Sequence, residues 1–300
     1  MSLYLMKLKQ CVLKMMNDNF AVFILSHGRA GNIKTLKTLK HHGYTGKTYI
    51  IIDDFDDTAD EYYKKHGAEN IIQFDKKEMA EETDTMDNFH DMRVVVYARN
   101  YTFKIAKELG LKYFLVLDDD YISFVYRFIE DNKLMGKDIK NLDKLFAYMV
   151  EFLEKTNALT VAMTQGGDFL GGAKGGIAQG PPKRKAMNTF FCKTDRPFEF
   201  KGTINEDTNA YTLLGSQGGI FFQVKECTVD QTTTQQNEGG LTDIYLDVGT
   251  YVKSFYSVLA MPSSVTIRNM GQNHRRLHHS VNWNNTVPKM IDEKYKKKGG

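Results

Sequence analysis

The chain has 300 residues, with 40 Lys and Arg against 37 Asp and Glu, a formal net charge of +3, 42% hydrophobic and 26% charged residues. That length suits one large α/β domain or two small ones with a substantial core, and a charge so nearly balanced excludes wholesale coating of nucleic acid while permitting a local basic face. Cys11, Cys192 and Cys227 are far apart and form no CxxC pair, and Lys7, Lys9 and Lys14 interrupt the apolar residues of the N-terminus, so free thiols, no signal-peptide core, no membrane span and a cytoplasmic location are expected.

Phe20 to Leu25 (FAVFIL) is an apolar run of strand length that ends in the small polar loop Ser26-His27-Gly28-Arg29-Ala30-Gly31-Asn32. Ile33, Leu36 and Leu39 follow at helical spacing until Gly43 and Gly46 break the pattern, and Thr48 to Ile52 forms a second strand ending in Asp53-Asp54. A strand–helix–strand order of this kind implies parallel strands joined by a crossover helix. Residues 57–67 read as a helix, Asn70 to Phe74 as a third strand, and the acidic stretch 75–91 as an exposed loop. Apolar residues recur at helical spacing from Arg93 to Leu109, and Gly110 stops that helix. Lys112 to Leu117 (KYFLVL) is the strongest strand pattern and runs directly into Asp118-Asp119-Asp120. A helix over about 141–155 and a strand over about 158–163 come next, followed by seven glycines within 165–180 and then Pro181-Pro182-Lys183-Arg184-Lys185, a stretch that reads as a mobile loop. The remainder alternates strands near 188–192, 219–229 and 264–268 with helices near 206–215 and 241–259, and closes in a polar tail.

Chemistry concentrates at a few of these junctions. Side chains alternate along a strand, so Asp118 and Asp120 share a side, at the carboxyl end of a strand where open α/β sheets bind ligands. Two carboxylates there repel unless a cation lies between them, and Mg²⁺ or Mn²⁺ suits oxygen ligands and bridges phosphates; the competing reading is a solvated acidic turn. Asp53 and Asp54 offer acceptors to a base or ribose, or simply end a strand. The Ser26–Asn32 loop precedes a helix and offers amides to an anion, with Arg29 as a charge partner. GxGxxG is absent, and Gly46-Lys47-Thr48 fails as a phosphate loop because position 41 is His and the triplet precedes a strand. Asn205-Glu206-Asp207 opens a helix, where Asn205 suits the N-cap and the acids suit the dipole; the functional reading makes Asp207 or Glu206 a general base for a hydroxyl. His274-Arg275-Arg276-Leu277-His278-His279, close to the only tryptophan, Trp283, supplies a histidine to complete a carboxylate metal site, His279 first and His278 second, and arginines for phosphates. Arg99 and Asn100 either face the site or solvate their helix, and Lys294 to Lys298 reads as a solvated tail.

In this order the motifs resemble those of GT-A glycosyltransferases over most of the chain: Asp118-Asp119-Asp120 looks like the DxD motif, Asn205-Glu206-Asp207 like the xED motif of inverting members, and a late metal-binding histidine is usual in that class. More narrowly, the chain is similar to the TET/J-binding-protein-associated glycosyltransferases, many of them from bacteriophages, which are implicated in glycosylating hydroxymethylated pyrimidines in DNA. The resemblance implies a GT-A-like, Rossmann-type α/β fold with a mixed, mainly parallel sheet flanked by helices. It implies one domain over 1–300, with a nucleotide-sugar half at 19–120, an acceptor and catalytic half at 121–285 and a basic tail at 286–300. It further implies a UDP-sugar donor, glucose at family level or a pentose, bound by Ser26, His27, Arg29, Asp53, Asp54, Arg99, Asp118 and Asp119. Mn²⁺ or Mg²⁺ would sit on Asp118, Asp120 and His279 or His278, with Asp207 as base beside Glu206, and DNA phosphates on Lys183, Arg184, Lys185, Arg275 and Arg276. A base within a duplex would have to be flipped out to react. The alternatives are a glycan, lipid or protein acceptor on the same fold, or a nucleotide-binding module without catalysis. The glycine-rich insert departs from the family pattern on the acceptor side.

Overall fold

Every residue of β1 (Phe20–Leu25) is buried, because helices cover both faces of the sheet it runs through, as a continuous apolar strand requires. The computed structural model describes residues 19–180, 184–232, 241–270 and 276–289. Eight further strands join β1: β2 (Lys47–Asp53), β3 (Ile71–Phe74), β4 (Tyr113–Asp118), β5 (Tyr121–Glu130), β6 (Lys133–Asp138), β7 (Ala158–Gln165), β8 (Phe190–Lys193) and β9 (Ile220–Gln231). They form one sheet in the order β3-β2-β1-β4-β8-β7-β9-β5-β6. The first four are parallel, β8 is antiparallel to both β4 and β7, β9 is parallel to β7, and β5 is antiparallel to β9 and β6. The mixed, mainly parallel α/β architecture expected for a GT-A-like fold is the one observed.

Helices α1 (Lys34–His41), α2 (Ala59–His66) and α5 (Leu142–Lys155) pack on one face, where Val22, Ile24 and Leu115 meet Leu39, Tyr62 and Phe146. Helices α3 (Lys76–Glu82), α4 (Val96–Glu108), α7 (Glu206–Ser216) and α8 (Leu241–Ala260) cover the other, where Phe23, Phe114 and Val116 meet Met79, Ile105, Tyr211 and Ile244. A separate hairpin, β10 (Val265–Met270) with β11 (Arg276–Val281), pairs Ile267 with His279 and Arg268 with His278. Leu25 pairs with both Ile51 and Asp118. That register brings the ends of β1, β2 and β4, and so the Ser26–Asn32 loop, Asp53-Asp54 and the aspartate triplet, out at one edge of the sheet.

Several expectations needed correction. The stretch after β3 contains α3, because Asp75 accepts a hydrogen bond from the Glu78 amide and caps it. The residues after the triplet, left unassigned from the sequence, form the hairpin β5–β6. The glycine-rich stretch folds into short turns of 3₁₀ helix at Gly166–Phe169 and Gly172–Lys174 and a single helical turn, α6 (Gly176–Gln179). The C-terminal histidines lie on β11. Cys192 and Cys227 are buried free thiols, whereas Cys11 lies outside the described residues. Among the described residues no helix is long and apolar enough to cross a membrane.

Candidate active site

A cavity of 390 Å³ opens at the carboxyl edge of the parallel strands, and most of the residues singled out from the sequence line it. Where β1 and β2 end, the Asp53 carboxylate takes the His27 Nδ1 contact at 3.0 Å, the Lys76 ammonium at 3.0 Å and the Phe55 amide at 3.1 Å. Burial alone would raise the Asp53 carboxyl; the hydrogen bond from His27 and the charge of Lys76 outweigh it and hold the group below its ordinary range. His27 is raised in turn, chiefly by that hydrogen bond. Asp54 lies outside the cavity lining and accepts from the Lys76 amide at 2.9 Å, so its visible role is to start α3.

The Ser26–Asn32 loop is braced by Asp56, by Tyr62 of α2 and by one hydrogen bond of its own. The Gly28 amide donates to Asp56 at 2.7 Å, the Arg29 amide to the Tyr62 hydroxyl at 2.8 Å and the Asn32 amide to the Arg29 carbonyl at 2.8 Å. These amides serve the loop itself rather than standing ready for an anion. Gly28 has φ +67°, which favours glycine at the turn. What the loop presents to the cavity is side chains: Ser26, His27 and Arg29.

The triplet divides its work. Asp119 faces the loop and is buried, taking Ser26 Oγ at 2.7 Å and Arg29 Nη1 at 2.9 Å. The turn is clamped by Thr35 of α1, whose hydroxyl donates to the Asp118 carbonyl at 2.6 Å and accepts from the Tyr121 amide at 3.0 Å. All three aspartates border the cavity; β4 ends at Asp118, so the turn, and not strand alternation, sets where Asp119 and Asp120 point. Desolvation pushes Asp118 up to about 6; the Arg99 charge opposes this, while Asp120, Asp119 and Asp207 add to it. Asp120 accepts from Thr232 Oγ1 at 2.8 Å, which ties the triplet to the end of β9.

Opposite the triplet, Asn205 sits in the left-handed region (φ 56°, ψ 38°) directly before α7. Its side chain does not cap that helix; it donates to the Lys253 carbonyl at 2.9 Å and Ser257 Oγ at 3.1 Å on α8. The turn aims Glu206 and Asp207 into the cavity. Between them and the triplet lies the buried Arg99 guanidinium, 2.8 Å from Glu206 Oε1 and 3.4 Å from Asp118 Oδ1, against the rings of Phe190 and Phe200 at 4.9 and 5.8 Å. Nη1 of Arg99 is buried with no hydrogen-bond partner. Burial raises both Glu206 and Asp207, and the Arg99 charge counters it in each. Asp207 Oδ1 also accepts from the Thr208 amide at 2.5 Å.

His278 and His279 of β11 reach the same cavity, their rings 4.4 Å apart. Burial lowers His279 to about 4, aided by the neighbouring His278 and Lys185, so its imidazole is neutral at neutral pH and a lone pair is available. Its Nδ1 is buried without a partner. Among the described residues no three His, Cys, Asp or Glu side chains stand close enough to hold an ion unaided. A cation that takes one or two carboxylates and completes its shell with substrate phosphates and water needs no such cage. The repelling acids and the unpartnered imidazole fit that arrangement.

Of the basic residues assigned to DNA, Arg184 donates to the Thr286 carbonyl at 3.0 Å and to the Trp283 carbonyl, and Lys185 pairs with Asp168 at 2.6 Å. Both are engaged within the protein. Arg276 is exposed at the start of β11, and Lys183 and Arg275 lie outside the described residues. Asn100 holds the Phe200 backbone through both amide atoms, at 2.8 and 3.0 Å. The sequence reading missed Lys76, hidden by the misread helix α3, Lys253 within the long α8, and the amides Gln165, Asn188 and Gln231, all of which line the cavity.

No curated protein matches this sequence. Among solved structures the chain is similar to glucosyl-3-phosphoglycerate synthase from Mycobacterium tuberculosis in complex with Mg²⁺ and uridine diphosphate, at 9% identity over 91% of this chain and 91% of that one, with a TM-score of 0.45. The same synthase in complex with Mn²⁺, uridine diphosphate and phosphoglyceric acid matches at 10% identity over 90% and 89%, with a TM-score of 0.44. A mycobacterial protein matches at 8% identity over 90% and 87%, with a TM-score of 0.45. The sequence model of the TET-associated glycosyltransferases matches residues 20–240, a span running from β1 through the aspartate triplet and Asn205-Glu206-Asp207. The chain belongs to the TET-associated glycosyltransferase family and is a glycosyltransferase.

Proposed function

We propose that this glycosyltransferase moves a sugar from a UDP-sugar to the hydroxymethyl group of a modified pyrimidine in DNA, with inversion at the anomeric carbon. The observation that carries the reading is the order of groups along one cavity: the His27–Asp53 pair at the ends of β1 and β2, Asp118 and Asp120 at the end of β4, and Asp207 at the opening of α7. A nucleoside, a diphosphate and a reacting hydroxyl have to be met in that sequence.

Asp53 and the Ser26–Asn32 loop hold the nucleoside, and Arg99, through its unpartnered Nη1, faces the diphosphate. Mn²⁺ or Mg²⁺ held by Asp118 and Asp120, with His279 or His278, would supply Lewis-acid neutralisation of charge on the departing diphosphate. The Asp207 carboxylate takes the proton of the acceptor hydroxyl as the new carbon–oxygen bond forms. The bond from the anomeric carbon to the phosphate oxygen breaks, and its electron pair leaves with the nucleoside diphosphate. Glu206, paired with Arg99 at 2.8 Å, fixes the guanidinium beside the base. The resemblance and the family membership support a DNA acceptor, with Arg276, Arg275 and Lys183 proposed as the phosphate contacts and the target base flipped into the cavity.

The test incubates the protein with Mn²⁺, a panel of nucleotide sugars, and DNA carrying hydroxymethylcytosine, hydroxymethyluracil or unmodified bases, and reads nucleoside masses. A hexose or pentose mass on a hydroxymethylated base alone supports the proposal. Transfer only to glycan, lipid or protein acceptors supplied in parallel would contradict the DNA assignment and leave the donor assignment standing.

A further inference from the structure

On the far side of the triplet from the nucleoside end, the cavity wall is made of amide side chains: Gln165 at the end of β7, Asn188 before β8 and Gln231 at the end of β9. In the sheet order, β7 stands two strands beyond β4, about 10 Å at the usual strand spacing. A donor that runs from the ends of β1 and β2 across the triplet would have its sugar near β4, with the acceptor beyond it.

Gln165 is the most constrained of the three. Its side-chain oxygen accepts from the Asp168 backbone amide, while Asp168 reaches back to the Gln165 amide at 3.1 Å. This reciprocal pair fixes which end of the Gln165 amide is which. The Nε2 end is thereby turned away from Asp168, and it is buried without a partner. Asp168 is itself held by Lys185 at 2.6 Å and by Gln223 Nε2 at 2.9 Å. A Cβ on Gly166 would lie 2.5 Å from Asp230 Oδ1, so a side chain there would displace that carboxylate. Lys185 connects this wall to the reacting groups, since its charge acts on Asp207 and on both His278 and His279. Asn188 is held at φ 59° with its carbonyl on the Tyr121 hydroxyl, and it donates to Gln231 Oε1 at 2.8 Å, which orients the Gln231 amide as well.

A buried NH₂ without an acceptor is costly, and the cost is relieved when a ligand oxygen or ring nitrogen docks against it. Amides recognise the edges of nucleobases, where donors and acceptors alternate at fixed spacing. We propose that Gln165, flanked by the Asn188–Gln231 pair, is the specificity wall for the acceptor, with Gln165 Nε2 donating to a carbonyl oxygen or ring nitrogen of the flipped pyrimidine. This inference rests on the DNA-acceptor reading given above and assigns the acceptor subsite within it.

The experiment measures steady-state transfer to a hydroxymethylated oligonucleotide with full-length wild type, Gln165→Glu and Gln165→Met. Glu keeps an oxygen for the Asp168 amide and replaces the inward donor with an acceptor; Met removes both. The expected result is an acceptor KM raised about 10-fold or more in both variants, the effect of one lost hydrogen bond in a closed site. The KM for the nucleotide sugar and the slow hydrolysis of the donor without acceptor should stay within about 2-fold, which also shows that the variants are folded. An unchanged acceptor KM overturns the proposal, and so does an effect that falls on the donor KM, which would place Gln165 against the sugar. A wild-type enzyme that fails to modify hydroxymethylated DNA overturns the acceptor reading itself, and that outcome is visible before any variant is made.

Discussion

The base role proposed for Asp207 requires its ionised form, and its surroundings set where that form begins. Burial raises the carboxyl above the ordinary value of 3.8, while Arg99 pulls it down. Turnover should therefore fall as pH drops through the raised value, at a higher pH than an exposed aspartate would dictate. Asp207→Asn should lower kcat by about 10²–10⁴-fold, remove that acidic limb and leave donor binding intact, as measured by pH–rate profiles and calorimetric titration of the donor. Arg99 is buried between two acids, 2.8 Å from Glu206 and 3.4 Å from Asp118. Removing it strands Glu206 and Asp118 without their countercharge, and Arg99→Met should destabilise the fold by about 3–5 kcal/mol in urea denaturation. An unchanged midpoint would mean that the two acids protonate at no cost. The His27–Asp53 pair gives a pH signature of the opposite kind. His27 is raised above 6.5, so its contribution to stability is complete below pH 6.5 and is lost as pH rises through the raised value. Asp53 is lowered below 3.8, so its contribution is present above pH 3.8 and is lost as pH falls through the lowered value. His27→Gln should therefore be more destabilising at about pH 6 than at about pH 9, and equal losses at both would contradict the pairing.

At the level of elements, the site depends on how helices start and strands stop. Asn205 precedes α7 at φ 56°, a conformation that glycine adopts freely and asparagine tolerates. Its amide also ties α7 to the Lys253 carbonyl on α8. Asn205→Gly keeps the backbone shape and loses only the tie, whereas Asn205→Ala loses both. The alanine variant should be the less stable by about 1 kcal/mol and the less active, which thermal melts and turnover assays compare directly. Thr35 offers a similar test. Its one hydroxyl serves Asp118 and Tyr121 together. Thr35→Val keeps the shape and leaves a buried amide unpaired, and should cost about 1–3 kcal/mol.

Over the whole molecule, what the sequence revealed was the half whose physics is local. The continuous apolar strands β1, β2 and β4, and the polar residues at their ends, announce a parallel sheet and its carboxyl edge without any long-range information. The acids and histidines that line the cavity were legible because they are chemically conspicuous. Helix α3 was missed because its highly charged sequence, two lysines and three glutamates in seven residues, looks like a loop until Asp75 is seen to cap it. The β5–β6 hairpin was missed because Asp131 and Asn132, with φ 49° and 58°, form a turn that no glycine advertises. Gln165, Asn188 and Gln231 are ordinary polar residues in sequence, and only the sheet order places their ends side by side. The glycine-rich stretch reads as a loop in composition, yet Asp168 organises it.

The account stands on the acidic turn at the end of β4 holding a divalent cation against the donor diphosphate. Isothermal titration of the intact protein with UDP and with UDP-sugars, in Mn²⁺ and then in excess chelator, measures this directly. The account predicts binding that weakens at least about 10-fold on chelation, and that becomes insensitive to chelator in Asp118→Asn and Asp120→Asn. Binding of equal strength with and without the cation in the wild-type protein would contradict it.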